Sequence, residues 1–278
     1  MTFLTALCML SQVPAQNVIR EKLMLDSDGK QVFGQMHRPE GVKQAPLVIV
    51  SHGFNGSYVF GQPYAKELAP LGYAVYCFDF PGGSARSKSE GATTDMSVFS
   101  EKADLLRIID QLSTLDYIDS EHITLIGESQ GGMVSALVAS ELKDRIERLV
   151  LVYPALCIKD DWVKMYPDVN EGPDTLDFWG LKLSKTYYRD LYDLDVFKTI
   201  TKYEGPVIIV HGDHDPVVNV SYSIQAQKEY RNARLEILPG EGHGFSRDGS
   251  KKSIAFIREF LTQSLETIPD DCGRNRPV

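Results

Sequence analysis

A serine inside a glycine-rich motif is the first residue in this sequence that could do chemistry. The motif is GESQG at 127–131, with Ser129 at its centre. An apolar run at 123–126, typical of a strand, precedes it, and a stretch with helical spacing follows it. A sharp strand-to-helix turn forces its central residue into strained backbone angles, and glycine neighbours leave room for that turn. The pattern predicts an exposed, nucleophilic serine.

A nucleophilic serine needs a base and an acid that orients the base. The apolar run at 207–210 is followed by HGDHDPVV, in which Asp215 is our choice for the acid and Asp213 is the reserve. Asp213 is better explained by turn hydrogen bonds. The base is His243, which lies in the loop GEGHG after the last predicted strand, 235–238. Together these side chains would let the serine oxygen attack a carbonyl carbon.

Two backbone amides could stabilise the negative oxygen that forms in such an attack. Gln130 directly follows the serine, and Phe54 lies in the loop SHGFNG at 51–56, after the apolar run at 47–50. We expect their N–H groups to form an oxyanion hole. We interpret His52 and His211 as hydrogen-bonding residues of their loops, without a titrating role in catalysis.

The elements that must position these residues alternate between strand and helix. Alternating segments around a turn at 27–29 predict an antiparallel hairpin from Glu21 to Arg38. Short apolar runs predict central parallel strands at 47–50, 74–78, 123–126, 149–152 and 207–210. Helical spacing covers 98–112 and 131–142, and a C-terminal helix is expected from about Lys251 to Leu265. We therefore predict an α/β fold with a doubly wound, mostly parallel sheet.

One interval breaks this alternation and predicts an insertion at 154–203. It contains both tryptophans, Trp162 and Trp179, and shows no clear strand periodicity. Because connections in such folds are usually short, we interpret it as a small, largely helical lid on a catalytic domain at 20–266. Residues 267–278 are predicted to be a frayed C-terminal tail.

Composition excludes several classes of function. The net charge of -9 and the absence of a Lys/Arg cluster argue against a nucleic-acid partner. Four scattered cysteines indicate neither a zinc site nor a disulfide framework, and the chemistry above needs no metal or organic cofactor. No run approaches the roughly 18 apolar residues that span a membrane.

The first residues allow two interpretations. An apolar run at 3–10 is followed by VPA at 13–15, a small-residue pattern that could precede cleavage. Residues 1–19 are therefore either a signal peptide or an N-terminal arm. The first predicts export, to a periplasm or out of the cell, and the second a cytoplasmic protein.

Taken together, these motifs resemble those of the α/β-hydrolases, and within them of the bacterial cinnamoyl (feruloyl) esterases, over nearly all of residues 20–266. The general signs are HGF at 52–54, DFPGGS at 79–84, GESQG at 127–131, HGDHD at 211–215 and GH at 242–243. The resemblance implies the α/β-hydrolase fold and the triad Ser129, Asp215 and His243 in the chain order of that fold. FNGS at 54–57 and Glu128 are variants that also occur in other esterases and peptidases of the fold.

The narrower resemblance lies in the insertion, because those esterases carry a helical lid over the aromatic acyl group. PA at 154–155 resembles the entrance of that lid, and WG at 179–180 with KLSKTYYR at 182–189 resembles its second half. The resemblance assigns substrate contacts to Asp161, Asp168, Trp179 and Tyr187. Asp161 would contact phenolic hydroxyls, and Tyr187 would bind the aromatic ring. Alternatively, the aromatic residues form the small core of the lid itself.

The function expected from these residues is hydrolysis of carboxylic esters through an acyl-serine. The resemblance implies hydroxycinnamate esters, either as small molecules or as feruloyl groups attached to polysaccharide. The alternatives are a general short-chain carboxylesterase, a serine peptidase of the oligopeptidase branch, and a non-catalytic binding protein on the same fold. A homodimer is compatible with the sequence.

Overall fold

The computed structural model describes residues 17–263, which contain ten strands. They are β1 (Val18–Ser27), β2 (Lys30–Pro39), β3 (Ala45–Ser51), β4 (Ala74–Phe78), β5 (Ile118–Glu128), β6 (Arg148–Val152), β7 (Thr175–Phe178), β8 (Leu181–Ser184), β9 (Val207–Gly212) and β10 (Ala233–Leu238). Eight form one sheet in the order β1-β2-β4-β3-β5-β6-β9-β10. The β1/β2 and β2/β4 pairs are antiparallel, and the other pairs of neighbours are parallel. The predicted doubly wound, mostly parallel sheet is confirmed.

The central strands are apolar on both faces, which explains why they read as continuous apolar runs. In β3, Leu47 and Ile49 pack into one core layer, whereas Val48 and Val50 pack into the other. All four side chains are at most 2% exposed. Each such burial stabilises the fold by roughly 1.5–3 kcal/mol, so the sheet depends on helices covering both faces.

Eight α-helices lie in the described residues. They are α1 (Gln62–Leu68), α2 (Val98–Leu112), α3 (Gln130–Leu142), α4 (Ile158–Met165), α5 (Thr186–Arg189), α6 (Val196–Ile200), α7 (Ser221–Glu229) and α8 (Arg247–Thr262). Helices α1 and α8 contribute Leu68 and Phe260 to one core layer, and α2 and α3 contribute Leu105 and Leu137 to the other. No helix within residues 17–263 is long and apolar enough to cross a membrane.

Most predicted boundaries agree with the structure to within a few residues, and the largest shifts are at the start of β5, which begins at Ile118, and at the C-terminal helix. Helix α2 covers the predicted 98–112. Helix α8 begins at Arg247, four residues before the predicted start, because the Ser246 side chain caps it by accepting a hydrogen bond from the Gly249 N–H. Strand β1 already includes residues 18 and 19, which were assigned to the N-terminal segment. The rest of that segment and the predicted tail lie outside the described residues.

The insertion was predicted to be largely helical and without strand periodicity, and its middle differs from this because it contains two strands. Strands β7 and β8 pair antiparallel and form a hairpin separate from the main sheet. Its two-residue turn is Trp179-Gly180, with φ of 45° and 81°. Positive φ at both central residues is typical of the two-residue type I′ turn, whose twist matches that of the flanking strands. The alternation of buried Leu181 and Leu183 with exposed Lys182 was the strand signal in the sequence.

Glycines are required where β5 meets α3. A Cβ added to Gly127 would lie 2.3 Å from the Gly131 carbonyl oxygen, and one added to Gly131 would lie 2.4 Å from the Ser51 and His52 carbonyl oxygens. Backbone atoms this close cannot move aside as a flexible side chain can. The turn around Ser129 therefore exists only with small residues on either side of it.

A buried acid lies directly beside Ser129. The Glu128 side chain is buried and its Oε1 accepts a hydrogen bond from the Tyr64 hydroxyl at 2.6 Å. Burial raises the pKa of Glu128 to about 7, and hydrogen bonds from Tyr64 and Tyr153 oppose the rise. The folded protein therefore keeps this proton over a pH range in which the unfolded chain has released it.

The Gly131→Ala substitution should lower the free energy of unfolding by about 3 kcal/mol or more, because it forces backbone segments apart. Gly29→Ala is the control: Gly29 has φ +78° but open space around an added Cβ, so it should cost only about 1 kcal/mol from backbone strain. Urea unfolding measures both. Equal losses would contradict the steric explanation.

The free energy of unfolding should fall as the pH rises through the range set by Glu128. The carboxyl is protonated in both states well below 4.5, its ordinary pKa. Above pH 7 the raised pKa of this carboxyl lowers the free energy of unfolding by about 3 kcal/mol compared with its value well below pH 4.5. Glu128→Gln cannot ionise at this position. The difference between its free energy of unfolding and that of the wild type should therefore increase by most of that amount from about pH 5 to pH 8.

Urea unfolding of the wild type and Glu128→Gln at the two pH values measures this difference. Glu121→Gln, at an exposed position of β5, is the control and should follow the wild type. If all three proteins changed equally with pH, the buried acid at 128 would not be the cause.

Candidate active site

Ser129 lies at the turn between β5 and α3 in a strained backbone conformation. Its φ is 51° and its ψ is -119°, a region that residues other than glycine rarely adopt. The Ser129 N–H donates to the Val152 carbonyl oxygen at 3.0 Å, and its own carbonyl accepts from the Ala155 N–H at 2.9 Å. The end of β6 and the start of the insertion therefore hold the strained serine in place.

The structure brings the three predicted side chains into one hydrogen-bonded chain. The Ser129 Oγ lies 3.0 Å from His243 Nε2. On the other side of the imidazole, His243 Nδ1 lies 2.7 Å from Asp215 Oδ2. A carboxylate at Nδ1 selects the tautomer that carries its proton there, which leaves Nε2 to accept the serine proton. This arrangement can activate a nucleophile.

Asp215 is held as an anion although its side chain is fully buried. Burial by itself raises the pKa of Asp215, but hydrogen bonds from the Val218 N–H, His243 and the Val217 N–H outweigh it, and the pKa lies below its ordinary value. The two backbone donors reach Oδ1 at 2.8 and 2.9 Å. They leave Oδ2 for the imidazole, so the carboxylate is oriented as well as charged.

The reserve acid, Asp213, serves a turn instead. Its Oδ1 accepts a hydrogen bond from the Gly240 N–H at 2.6 Å and lies 2.6 Å from His214 Nδ1. These contacts lower the pKa of Asp213, with the His214 hydrogen bond as the main cause. The side chain therefore joins the turn after β10 to the loop after β9.

The two predicted oxyanion-hole residues lie next to the serine. A Cβ added to Gly53 would be 2.9 Å from the Ser129 Cβ, so the loop at 52–56 lies against the nucleophile. Within residues 17–263, neither the Phe54 N–H nor the Gln130 N–H donates a hydrogen bond to another group of the chain. Both amides are thus available to a bound oxygen.

His52 fixes this loop by hydrogen bonds, as predicted. Its Nδ1 lies 2.7 Å from the Gly53 carbonyl oxygen, and its Nε2 accepts from the Phe80 N–H at 3.0 Å. The ring is buried, and burial lowers the pKa of His52. The imidazole is therefore neutral and has both nitrogens engaged.

A mostly apolar cavity opens beside Ser129, between the catalytic loops and the insertion. Its volume is about 450 Å³, counting the space open to solvent at its mouth. It is lined by Phe54, Ser129, Gln130, Ala155, Cys157, Ile158, Asp161, Trp162, Phe178, Trp179, Tyr187, Val217 and Val218. Five of these residues are aromatic, so the cavity suits a flat apolar group attached to an electrophilic carbon.

Of the four residues assigned to substrate by resemblance, three line this cavity. Asp161 supplies a carboxylate, Trp179 covers the edge with a side chain that is 63% exposed, and Tyr187 forms part of the inner wall. Asp168 is not among the lining residues. Its carboxylate is exposed and accepts hydrogen bonds from the Asn170 N–H and Nδ2, because it caps the short helical turn Val169–Glu171.

Sequence reasoning missed two buried groups near the site. The first is His211, which we interpreted only as a hydrogen-bonding residue of its loop. Its Nε2 lies 3.2 Å from Asp215 Oδ2. Its Nδ1 lies 2.6 Å from the Ser223 hydroxyl and its Nε2 lies 3.0 Å from the Val218 carbonyl oxygen. Glu101 is the second group, and it contacts the side chain of Gln130. Glu101 lies in no motif quoted above, whereas His211 begins the HGDHD motif, in which only Asp215 was given a catalytic role.

Within residues 17–263, no cluster of three or more His, Cys, Asp or Glu side chains could hold a metal ion.

Comparison with curated proteins finds distant hydrolases. The chain is 31% identical to monoglyceride lipase of Mus musculus over 141 residues, which is 50% of this chain and 45% of the lipase. It therefore spans less than half of that relative. It is 24% identical to the bifunctional esterase/perhydrolase of Acinetobacter calcoaceticus, over 83% of this chain and 97% of that enzyme.

Comparison with solved structures finds Est1E from Butyrivibrio proteoclasticus with ferulic acid bound. The TM-score is 0.78 at 28% identity, and the match covers 87% of this chain and all of the other. The model of the α/β hydrolase fold family matches residues 46–195, more than half of this chain. From this match and the sheet described above, the chain belongs to the α/β-hydrolase fold family.

Proposed function

We propose that this protein is a serine carboxylic-ester hydrolase that acts through an acyl-enzyme on hydroxycinnamate esters. The observation that carries the proposal is the hydrogen-bonded chain from Asp215 through His243 to Ser129, which ends at an aromatic cavity. The chain supplies a nucleophile, and the cavity supplies a place for the acyl group.

Acylation follows from this geometry. His243 Nε2 takes the hydroxyl proton as Ser129 Oγ forms a bond to the ester carbonyl carbon, and Asp215 stabilises the imidazolium. The carbonyl oxygen becomes negative, and the Phe54 and Gln130 N–H groups donate to it; one such donor is worth about 3 kcal/mol. When the carbonyl re-forms, the bond to the alcohol oxygen breaks, and that oxygen takes the proton from His243.

Deacylation repeats these steps with water as the nucleophile. Water gives a proton to His243 while its oxygen attacks the acyl carbon, and the same two N–H groups stabilise the oxyanion. The bond to Ser129 Oγ then breaks, and the serine oxygen regains the proton. A carboxylic acid leaves, and the enzyme returns to its starting state.

The hydroxycinnamate assignment is supported by the chemistry of the cavity. Aromatic rings from Phe54, Trp162 and Phe178 lie on its walls, and the Asp161 carboxylate is the charged group among its lining residues. Aromatic walls favour a flat ring, and a carboxylate can accept a hydrogen bond from a phenolic hydroxyl. The structural likeness to Est1E with ferulic acid bound supports the same class.

Ser129→Ala and His243→Ala should each lower kcat for methyl ferulate by about 10⁴-fold or more, because each removes an essential proton or nucleophile step. Asp215→Asn should cost about 10³- to 10⁴-fold by disturbing the imidazole tautomer. Asp213→Asn is the matched control and should stay within about tenfold of wild type. Steady-state kinetics measure all four variants, and full activity in Ser129→Ala would contradict the mechanism.

The Asp161→Ala substitution should raise KM for methyl ferulate about tenfold or more, since a hydrogen bond to a charged group is lost. Methyl cinnamate lacks the phenolic hydroxyl, so its KM should change little. Asp168→Ala is the matched control, because Asp168 lies outside the cavity lining. Equal effects of Asp161→Ala on both esters would contradict this contact, and rapid turnover of nitrophenyl acetate alone would favour a short-chain esterase.

A further inference from the structure

Three buried polar side chains from three helices form a second hydrogen-bonded chain beside the active site. Glu101 comes from α2, Gln130 from α3 and Tyr187 from α5, and none is more than 3% exposed. Gln130 Nε2 donates to Glu101 Oε2 at 2.8 Å. The Tyr187 hydroxyl donates to Gln130 Oε1. The side-chain amide is therefore held from both ends.

Tyr187 contacts both residues whose N–H groups are assigned to the oxyanion hole. Its hydroxyl binds the Gln130 side chain, and its ring lies edge-on to Phe54 with the centroids 5.9 Å apart. The same ring packs against Trp162, at 5.6 Å, and forms part of the cavity wall. A shift of Tyr187 would therefore disturb the acyl pocket and the oxyanion donors together.

Glu101 is the buried end of this chain. Burial raises the pKa of Glu101 to about 8; the Gln130 hydrogen bond opposes the rise, and Asp104 on the same helix adds to it. From the insertion, Tyr187 is the titratable group that interacts electrostatically with Glu101, and it also interacts with Cys157. The carboxyl is thus protonated at neutral pH and becomes charged in mildly alkaline solution.

We propose that Glu101, Gln130 and Tyr187 form a positioning unit that couples the oxyanion hole to the wall of the acyl pocket, with the uncharged form of Glu101 as the active one. An ionised Glu101 places a negative charge beside the residue that stabilises a negative oxygen, which opposes the transition state. Because the Tyr187 hydroxyl is bound to Gln130, Tyr187 contributes its ring to substrate binding. This inference rests on the proposed esterase function.

The test compares wild type with Glu101→Gln, Tyr187→Phe and Asp110→Asn, an exposed position on the same helix. The readouts are kcat and KM against pH for methyl ferulate and nitrophenyl acetate, and the rate at which a fluorophosphonate labels Ser129. Glutamine has the shape of the protonated acid and cannot ionise. Wild type and Glu101→Gln share every other titratable group, including Glu128 and His243. The ratio of their two pH profiles therefore reports on Glu101.

Wild type and Asp110→Asn should lose activity and labelling rate above about pH 8, and Glu101→Gln should lack that fall. Tyr187→Phe keeps the ring but releases Gln130, so kcat for both esters should drop about tenfold while KM for methyl ferulate changes little. A merely structural role would lower stability without changing the pH profile.

The labelling experiment separates failure of the esterase proposal from failure of the positioning unit alone. If the fluorophosphonate does not label wild-type Ser129, both the esterase proposal and this inference are wrong. If Ser129 is labelled but Glu101→Gln keeps the wild-type alkaline fall, or Tyr187→Phe keeps the wild-type kcat, this inference alone is overturned.

Discussion

The strained backbone at Ser129 is the constraint on which the site depends. A positive φ at a serine is unfavourable, and here it persists because surrounding elements leave no alternative. Gly127 and Gly131 let the strand, the helix and the neighbouring loop approach one another, while β6 and the insertion bind the serine backbone. The strain projects the hydroxyl above the sheet edge, where loops after β3, β9 and β10 converge.

Around that serine, three buried carboxyl groups are kept in different protonation states by their surroundings. Asp215 receives two backbone N–H donors and an imidazole, which lower its pKa despite burial. Glu101 and Glu128 lack such a set of donors, and burial raises their pKa values to about 8 and about 7. Environments that separate the pKa values of neighbouring acids are how active sites assign roles to identical groups. The charged acid orients the base, Glu101 is mostly protonated at pH 7, and Glu128 loses its proton around that pH.

The sequence was sufficient for features that leave a local signal. Apolar runs predicted the central strands because strands covered on both faces need apolar residues at every position. Glycine spacing predicted the turn at Ser129, and chain order selected Asp215 and His243, which the structure places in hydrogen-bonding distance. The turn Trp179-Gly180 was quoted only as a family motif, although the alternation after it indicated a strand.

Other features depend on contacts between distant segments. The Glu101 side chain reaches Gln130 across 29 positions, and Tyr187 reaches it across 57. No local pattern marks such pairs, since a glutamate in an amphipathic helix is usually solvated. Asp168 is the converse case: a family position predicted a substrate contact, and in the structure its carboxylate caps the turn Val169–Glu171.

During turnover Ser129 should carry the acyl group, and a rapidly quenched reaction with a nitrophenyl ester of ferulic acid would show whether it does. We expect a burst of nitrophenol equal to the enzyme concentration, with the feruloyl mass on the peptide that contains Ser129. A feruloyl group on another residue, or steady release of nitrophenol with no modified peptide, would contradict it.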